Sequence, residues 1–227
     1  MLVLSLFPGI GLLDTAFEEE GFCVVRGPDL LWGGDIRRFH PPAGQFNGVI
    51  GGPPCQFASV MQHAVPYRAV ENLIPELERC VAESQPLWFL MENVRSAPEP
   101  CVVGYVVKSL MLNNRWAPDA PEQNRLRRFS FGTRDGKILL PETAALENPV
   151  WEYAVVGGHG GIDHSRHKWG QGTQVPAKMC RLQGLPEDFF KHSPFTIHAQ
   201  RKMLGNGVPL PMGRSIARAV KRAVGDA

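Results

Sequence analysis

No uncharged apolar run in the 227 residues approaches the roughly 18 consecutive residues that a membrane-crossing helix needs. Cysteine is scarce. The five, Cys23, Cys55, Cys80, Cys101 and Cys180, are scattered and odd in number, and no CxxC pair occurs. A disulfide framework and a zinc site of CxxC spacing are therefore not expected, and a reducing, cytoplasmic setting is. The opening MLVLSLFPGIG has neither a basic leader nor a small-residue cleavage site, so no signal peptide is expected. Internal repeats and low-complexity tracts are also missing. What remains is an ordinary globular composition, 44% apolar and 20% charged. It suits one core of good size with a small lobe.

The net charge is only +2, but it is unevenly spread. Residues 1–110 carry 7 Lys/Arg against 12 Asp/Glu, a net of −5, and residues 111–227 carry 17 against 10, a net of +7. A basic second half fits either a polyanion partner or solvated helix faces.

Along the chain, LVLSLF (2–7), CVVRG (23–27), GVIGG (48–52) and PLWFLMENV (86–94) read as buried strands. GLLDTAFEEEGF reads as a helix with Leu12, Leu13, Ala16 and Phe17 on one face, ended by Gly21. A second helix is expected over 69–84, kinked or broken at Pro75, and a last one over 212–224. The apolar stretches VVGYVVKSLML and RFSFG continue the pattern. Alternating strands and helices imply an α/β fold with a parallel sheet and a ligand site beyond the strands' carboxyl ends. Residues 133–176 hold seven glycines, Trp151, Tyr153, Trp169 and three histidines with weak periodicity, and read as a loop-rich insert.

Several constellations can carry chemistry. SLFPGIG ends a strand in glycines ahead of a helix, fit either for a tight turn or for close approach of a ligand to the backbone. Asp29 and Asp35 follow the second strand as turn formers or ribose ligands. Cys55 ends a strand in a loop stiffened by Pro53 and Pro54, where an exposed sulfur of lowered pKa could act as nucleophile. Packing is the other role open to it, and the one expected of Cys23, Cys80, Cys101 and Cys180. Glu92 closes the strand 86–94 at the same sheet edge, where a raised pKa would suit it to donate a proton. QNRLRRF alternates Gln123, Arg125 and Arg127 on one side of an extended segment, either a phosphate or carbonyl grip or a solvated edge. His159, His164 and His167 lack acidic or cysteine partners, so no metal is expected.

In this order FPGIG, PPCQ, ENV, QNRLR, RLQGLPEDF and GNGVP resemble the DNA cytosine-5 methyltransferases over nearly the whole chain, as a small member. The resemblance implies the S-adenosylmethionine-dependent methyltransferase fold, a Rossmann-like α/β fold whose mostly parallel sheet has helices on both faces. It implies a catalytic and cofactor-binding domain (1–132), a short target recognition insert (133–176) and a C-terminal segment completing the catalytic domain (177–227). It implies methyl transfer from S-adenosyl-L-methionine to carbon 5 of a cytosine flipped out of double-stranded DNA. Cys55 would be the nucleophile and Glu92 the group at ring nitrogen 3. Arg127 would hold the ring carbonyl, and Arg125 would lie near Cys55 and the phosphates. Phe7, Gly9, Gly11, Asp29, Asp35, Ile36, Pro54 and Asn206 fall where the family cradles its cofactor. Gln56 and Ser59, with Arg134, Arg166 and Lys168 of the insert, are expected to meet DNA at a site of two to four base pairs. The resemblance further suggests a restriction-modification setting and a monomer acting on DNA in the cytoplasm, associated with the nucleoid. Two rivals are a tRNA cytosine-5 methyltransferase and a catalytically silent cofactor- or DNA-binding partner. The chain departs from the family pattern in three places. Only GPDLLW separates the second strand from GGDI, Gly207 stands where serine is common, and the insert is short.

Overall fold

The computed structural model describes residues 1–55, 71–121, 123–144, 152–156 and 175–225. Among the described residues eight strands form in chain order: β1 (Leu2–Leu6), β2 (Cys23–Arg26), β3 (Gly48–Gly51), β4 (Trp88–Asn93), β5 (Val106–Asn113), β6 (Gln123–Asn124), β7 (Leu126–Thr133) and β8 (Glu152–Tyr153). The helices are α1 (Leu12–Glu19), α2 (Ile74–Ser84), α3 (Pro176–Leu182), α4 (Ile197–Asn206) and α5 (Leu210–Val224). Six strands make one sheet in the order β2-β1-β3-β4-β7-β5, and β6 pairs with β8. β1 to β4 pair in parallel, while β7 runs antiparallel to both β4 and β5. The sheet is thus mostly parallel, as expected. Alternation with α-helices already lapses between β2 and β3, which two 3-10 turns connect, and among the described residues no α-helix separates β4, β5, β6 and β7.

Strand alternation builds two cores. Val3, Ile50, Trp88, Leu90, Phe129 and Phe131 face α1 and α5, against Phe17, Met212, Ile216 and Val220. Leu4, Leu6, Val49, Phe89 and Met91 face α2, against Leu77, Cys80 and Val81. Glycines make room for the largest rings: a Cβ at Gly48 would lie 2.2 Å from the Trp88 ring, and one at Gly132 would lie 2.1 Å from Phe89.

Pro75 begins a helix rather than kinking one. It occupies the first turn of α2, where its missing N–H costs nothing; residues 69 and 70 lie outside the described residues. The expected insert also gives part of itself to the body. Leu139 joins the α5-facing core, β8 pairs with β6, and Val155 is buried beside α3 and α4. The expected packing role fits Cys80 and Cys180, which are buried, but Cys23 and Cys101 are exposed.

Part of the basic charge of the second half is paired within the chain. From α5, Arg214 pairs with Glu19 at 2.5 Å, Arg218 with Glu20 at 2.9 Å and Arg222 with Glu142 at 2.6 Å. Gly213 lies close against Ala16, which brings the basic helix down onto the acidic end of α1. These half-exposed pairs are each worth about 0.2–1 kcal/mol. They use up the α5 arginines as a polyanion-binding face. No described helix is long and apolar enough to cross a membrane.

Candidate active site

The carboxyl ends of β1, β3 and β4, which pair in parallel, place the loops FPGIG, GPPC and ENV side by side. With α4, they surround a cavity of about 680 Å³, a size suited to a small-molecule ligand.

The FPGIG turn is tightly specified. Phe7 and Gly9 both have φ of 57°, a region that is costly for phenylalanine, by about 1–3 kcal/mol, and free for glycine. A Cβ on Gly9 would meet nothing within 4 Å, and Gly9 lines the cavity, so a ligand can approach its backbone. Asp29 holds this turn: its carboxylate accepts the Gly9 N–H at 2.9 Å and the Leu31 N–H at 2.7 Å. Trp32 Nε1 donates to the Gly9 carbonyl at 2.7 Å. The GPDLLW segment therefore forms a single 3-10 turn at Leu30–Trp32 that still brings Asp29 to the cavity wall. Asp35 caps the next 3-10 turn and is gripped by the Arg37 guanidinium, whose hydrogen bonds hold its carboxyl below the usual range. Arg79 of α2 secures that turn by donating to the Ile36 and Phe39 carbonyls at 2.9 and 3.0 Å.

Phe7, Gly9, Asp29, Asp35, Ile36, Pro54 and Asn206 all line the cavity. Gly11 does not. It starts α1 with φ of 80°, and a Cβ there would lie 2.8 Å from the Arg26 guanidinium, so its role is backbone geometry and close packing. Beneath the turn, Asp14 is 1% exposed, accepts from Ser5 Oγ at 2.5 Å and pairs with Arg26 at 3.0 Å. Burial raises its pKa.

Cys55, Glu92, Arg125 and Arg127 converge on the same cavity. Asn93 Nδ2 donates to the Pro53 carbonyl at 3.0 Å, tying the cysteine loop to β4. Glu92 is 7% exposed and receives Arg127 Nε at 3.0 Å. Burial raises the pKa of its carboxyl, with Arg127 and Arg125 opposing. The Cys55 thiol is also pushed up, by burial and by Glu92 against Arg127 and Arg125, and not lowered as the loop setting suggested. In the free protein, Cys55 alkylation should therefore rise about tenfold per pH unit from pH 7 to beyond pH 9. Peptide-resolved mass spectrometry checks this, and a plateau below pH 7.5 would contradict it.

Arg125 is not free to meet a phosphate. It is 2% exposed, its Nη1 donates to the Val155 carbonyl at 2.6 Å, and its Nη2 donates to Gly205 and Gly207 at 2.9 and 3.0 Å. Burial pushes its pKa down to about 9. It works beside two buried glutamines. Gln123 donates to the Leu182 carbonyl at 2.6 Å and accepts the Val155 N–H at 3.0 Å, and Gln183 donates to the Leu204 and Gly207 carbonyls. Asn93, Gln183, Arg79 and Trp32 had no individual role in the sequence reading. ENV and RLQG marked the first two, and nothing local marked the others. Gly207, the departure from the usual serine, has a spatial counterpart: a Cβ there would lie 2.6 Å from Leu12 Cδ1.

Arg134 lies at the end of the sheet opposite Cys55. β7 is reversed, so Thr133 pairs with Trp88 at the amino end of β4, and the Arg134 guanidinium lies 5.0 Å from the Tyr105 ring centroid. Gln56, Ser59, Arg166 and Lys168, and the histidines 159, 164 and 167, lie outside the described residues. Among the described residues no cluster of His, Cys, Asp and Glu could hold a metal ion.

Residues 33–100 match the family model C-5 cytosine-specific DNA methylase. The type II methyltransferase M.NgoPII of Neisseria gonorrhoeae is 32% identical over an alignment of 116 residues, covering 41% of this chain and 33% of that protein. M.DdeI of Desulfomicrobium norvegicum is 25% identical over 212 residues, covering 71% and 50%. The chain thus spans about a third to a half of the length of the curated relatives it matches. The solved structure of the Entamoeba histolytica methyltransferase EhMeth has a TM-score of 0.65 at 13% identity, covering 100% of this chain and 99% of that one, and so shares the fold. The PPC and ENV loops lie inside the stretch that matches the C-5 cytosine-specific DNA methylase model and are set at adjacent strand ends.

Proposed function

We propose that the protein is a DNA (cytosine-5) methyltransferase that transfers a methyl group from S-adenosyl-L-methionine to a flipped-out cytosine in duplex DNA. The observation that carries this reading is the convergence of Cys55, the Glu92–Arg127 pair and the glycine turn on one cavity. The cavity's volume, the open backbone at Gly9 and the carboxylates of Asp29 and Asp35 on its wall fit the cofactor, which would supply an electrophilic methyl group. Phe7, Gly9, Asp29, Asp35, Ile36, Pro54 and Asn206 would hold it.

The chain's own groups explain the rest. Carbon 5 of cytosine is a poor nucleophile. Cys55 Sγ, once deprotonated, adds to carbon 6, and the ring becomes an enamine with electron density at carbon 5. Glu92 hydrogen-bonds to or protonates ring nitrogen 3, which favours that addition; burial raises its pKa, the direction that suits a proton donor. Arg127 uses Nε on Glu92 and Nη1 on the Leu126 carbonyl, leaving guanidinium N–H groups for the ring carbonyl. After methylation, loss of the carbon-5 proton expels the thiolate. Arg125 acts by fixing the walls.

Base reading is assigned to the sequence between Val156 and Val175, with Arg166 and Lys168 as its cations and Gln56 and Ser59 as further contacts. A site of about two to four base pairs is expected, because each good bidentate contact discriminates by about 1–3 kcal/mol. The protein acts as a monomer on nucleoid DNA. The test is methyl transfer from labelled cofactor to duplex DNA and to tRNA, followed by base-resolution mapping. Label in duplex cytosines at a short motif is expected. Label in tRNA alone overturns the choice of polymer, and label in neither overturns the enzyme.

A further inference from the structure

We infer that Arg95 is a phosphate contact of the nucleic-acid substrate and that Arg128 is the residue that positions it, an assignment resting on the duplex-DNA reading above. β4 ends at Asn93, Val94 lines the cavity, and the next residue, Arg95, is exposed at the same carboxyl edge of the sheet. Arg128 is the cross-strand partner of Asn93 and follows Arg127, so the two arginines leave opposite faces of β7. Arg127 turns to Glu92. Arg128 turns to the loop that follows Val94: its Nη1 donates to the Arg95 carbonyl at 3.4 Å, and its Nη2 donates to the Ala97 and Pro98 carbonyls at 2.5 and 2.7 Å. Its Nε is buried and has no partner among the described residues, so the guanidinium is packed in place and not lying on the surface. Ala97, 3% exposed, closes the turn by donating to the Val94 carbonyl at 3.1 Å.

The guanidinium reaches the three carbonyls from two separate nitrogens, a spread that a single ammonium nitrogen does not match. The result is a loop pinned directly behind Glu92 and Asn93, with the Arg95 side chain pointing into solvent and carrying no ion pair among the described residues. The α5 arginines, in contrast, are paired with Glu19, Glu20 and Glu142. An exposed guanidinium carried on a pinned loop beside the cavity mouth, with no ion pair among the described residues, suits the backbone of a polyanion whose base enters that mouth.

The test is duplex-DNA affinity between 50 and 200 mM salt for the wild type, Arg95→Ala, Arg128→Ala and the double variant. One lost phosphate contact lowers the slope of log affinity against log salt by about 0.9. The affinity deficit of Arg95→Ala should thus shrink about threefold across that range. Arg128→Ala should reproduce the slope change, and the double variant should add nothing to Arg95→Ala. Should Arg128→Ala fail to fold, Arg128→Lys keeps the charge, cannot reach all three carbonyls, and gives the same comparison. A wild-type slope for Arg95→Ala, or an Arg128 effect additive to it, overturns the assignment. Wild-type protein that binds duplex with its full slope but transfers no methyl group overturns the functional reading alone, and protein that binds no duplex overturns both.

Discussion

Glu92→Gln slows methyl transfer by about 10²–10⁴-fold, the range for losing a positioned proton donor, while duplex affinity stays within about threefold. Glutamine keeps the volume and can still accept from Arg127, but it has no proton to give to ring nitrogen 3. The carboxyl matters because of where it sits: nearly buried at the end of β4, with Gly52 beside it and Arg127 at 3.0 Å. Its proposed interaction strengthens only as the thiol adds to the ring, so the loss falls on the rate of the bound complex. Single-turnover kinetics with saturating cofactor and DNA measure it. A normal single-turnover rate would make Glu92 a structural partner of Arg127 and nothing more.

Arg125→Met lowers the melting temperature by about 6–12 °C and abolishes cofactor binding at concentrations that saturate the wild type. The buried carbonyls of Val155 and Gly205 lose the Arg125 donor, and that of half-buried Gly207 keeps only Gln183. Each unsatisfied group costs about 1–3 kcal/mol, and part of that is offset because a strongly desolvated charge is removed. A net cost of about 3 kcal/mol corresponds to the stated shift for a chain of this size. The binding loss follows from Gly205 and Gly207 flanking Asn206, which lines the cavity. Arg125→Lys should not rescue either property, because one ammonium cannot serve Val155 on one side and the 205–207 turn on the other. A lysine variant with native melting and binding would show that the three carbonyls find other donors.

The parts of the site that could be read from sequence are those set by strand ends. Pro53, Pro54 and Cys55 follow an apolar run, and Glu92 closes another, and parallel neighbours bring both to one edge. The misread parts depend on relations that no local pattern carries. QNRLRR reads as a phosphate or carbonyl grip or as a solvated edge, yet Arg125 lies at a break between β6 and β7 and is enclosed by segments 30 and 80 or more residues away. Arg134 lies at the opposite end of the sheet from Cys55 because β7 is the strand that runs backwards. The basic second half fits either a polyanion partner or solvated helix faces, and its pairing with Glu19 and Glu20, almost 200 residues upstream of Arg214 and Arg218, is legible in neither. Pro75 was read as an interruption because the apolar pattern seemed to begin before it, whereas proline in a first turn is an ordinary start. The Cys55 thiol was expected to be acidic from its loop, but burial and Glu92 outweigh the two arginines.

The most direct measurement of the central claim is covalent capture on duplex DNA carrying 5-fluorocytosine at the mapped site, in the presence of S-adenosyl-L-methionine. Fluorine at carbon 5 cannot leave as a proton does, so the addition product should persist as a denaturant-stable protein–DNA adduct. Peptide mapping should find the link on Cys55, and Cys55→Ala should form none while still binding the duplex. An adduct that survives Cys55→Ala, or wild-type protein that methylates the unfluorinated site yet is never captured, would contradict the account.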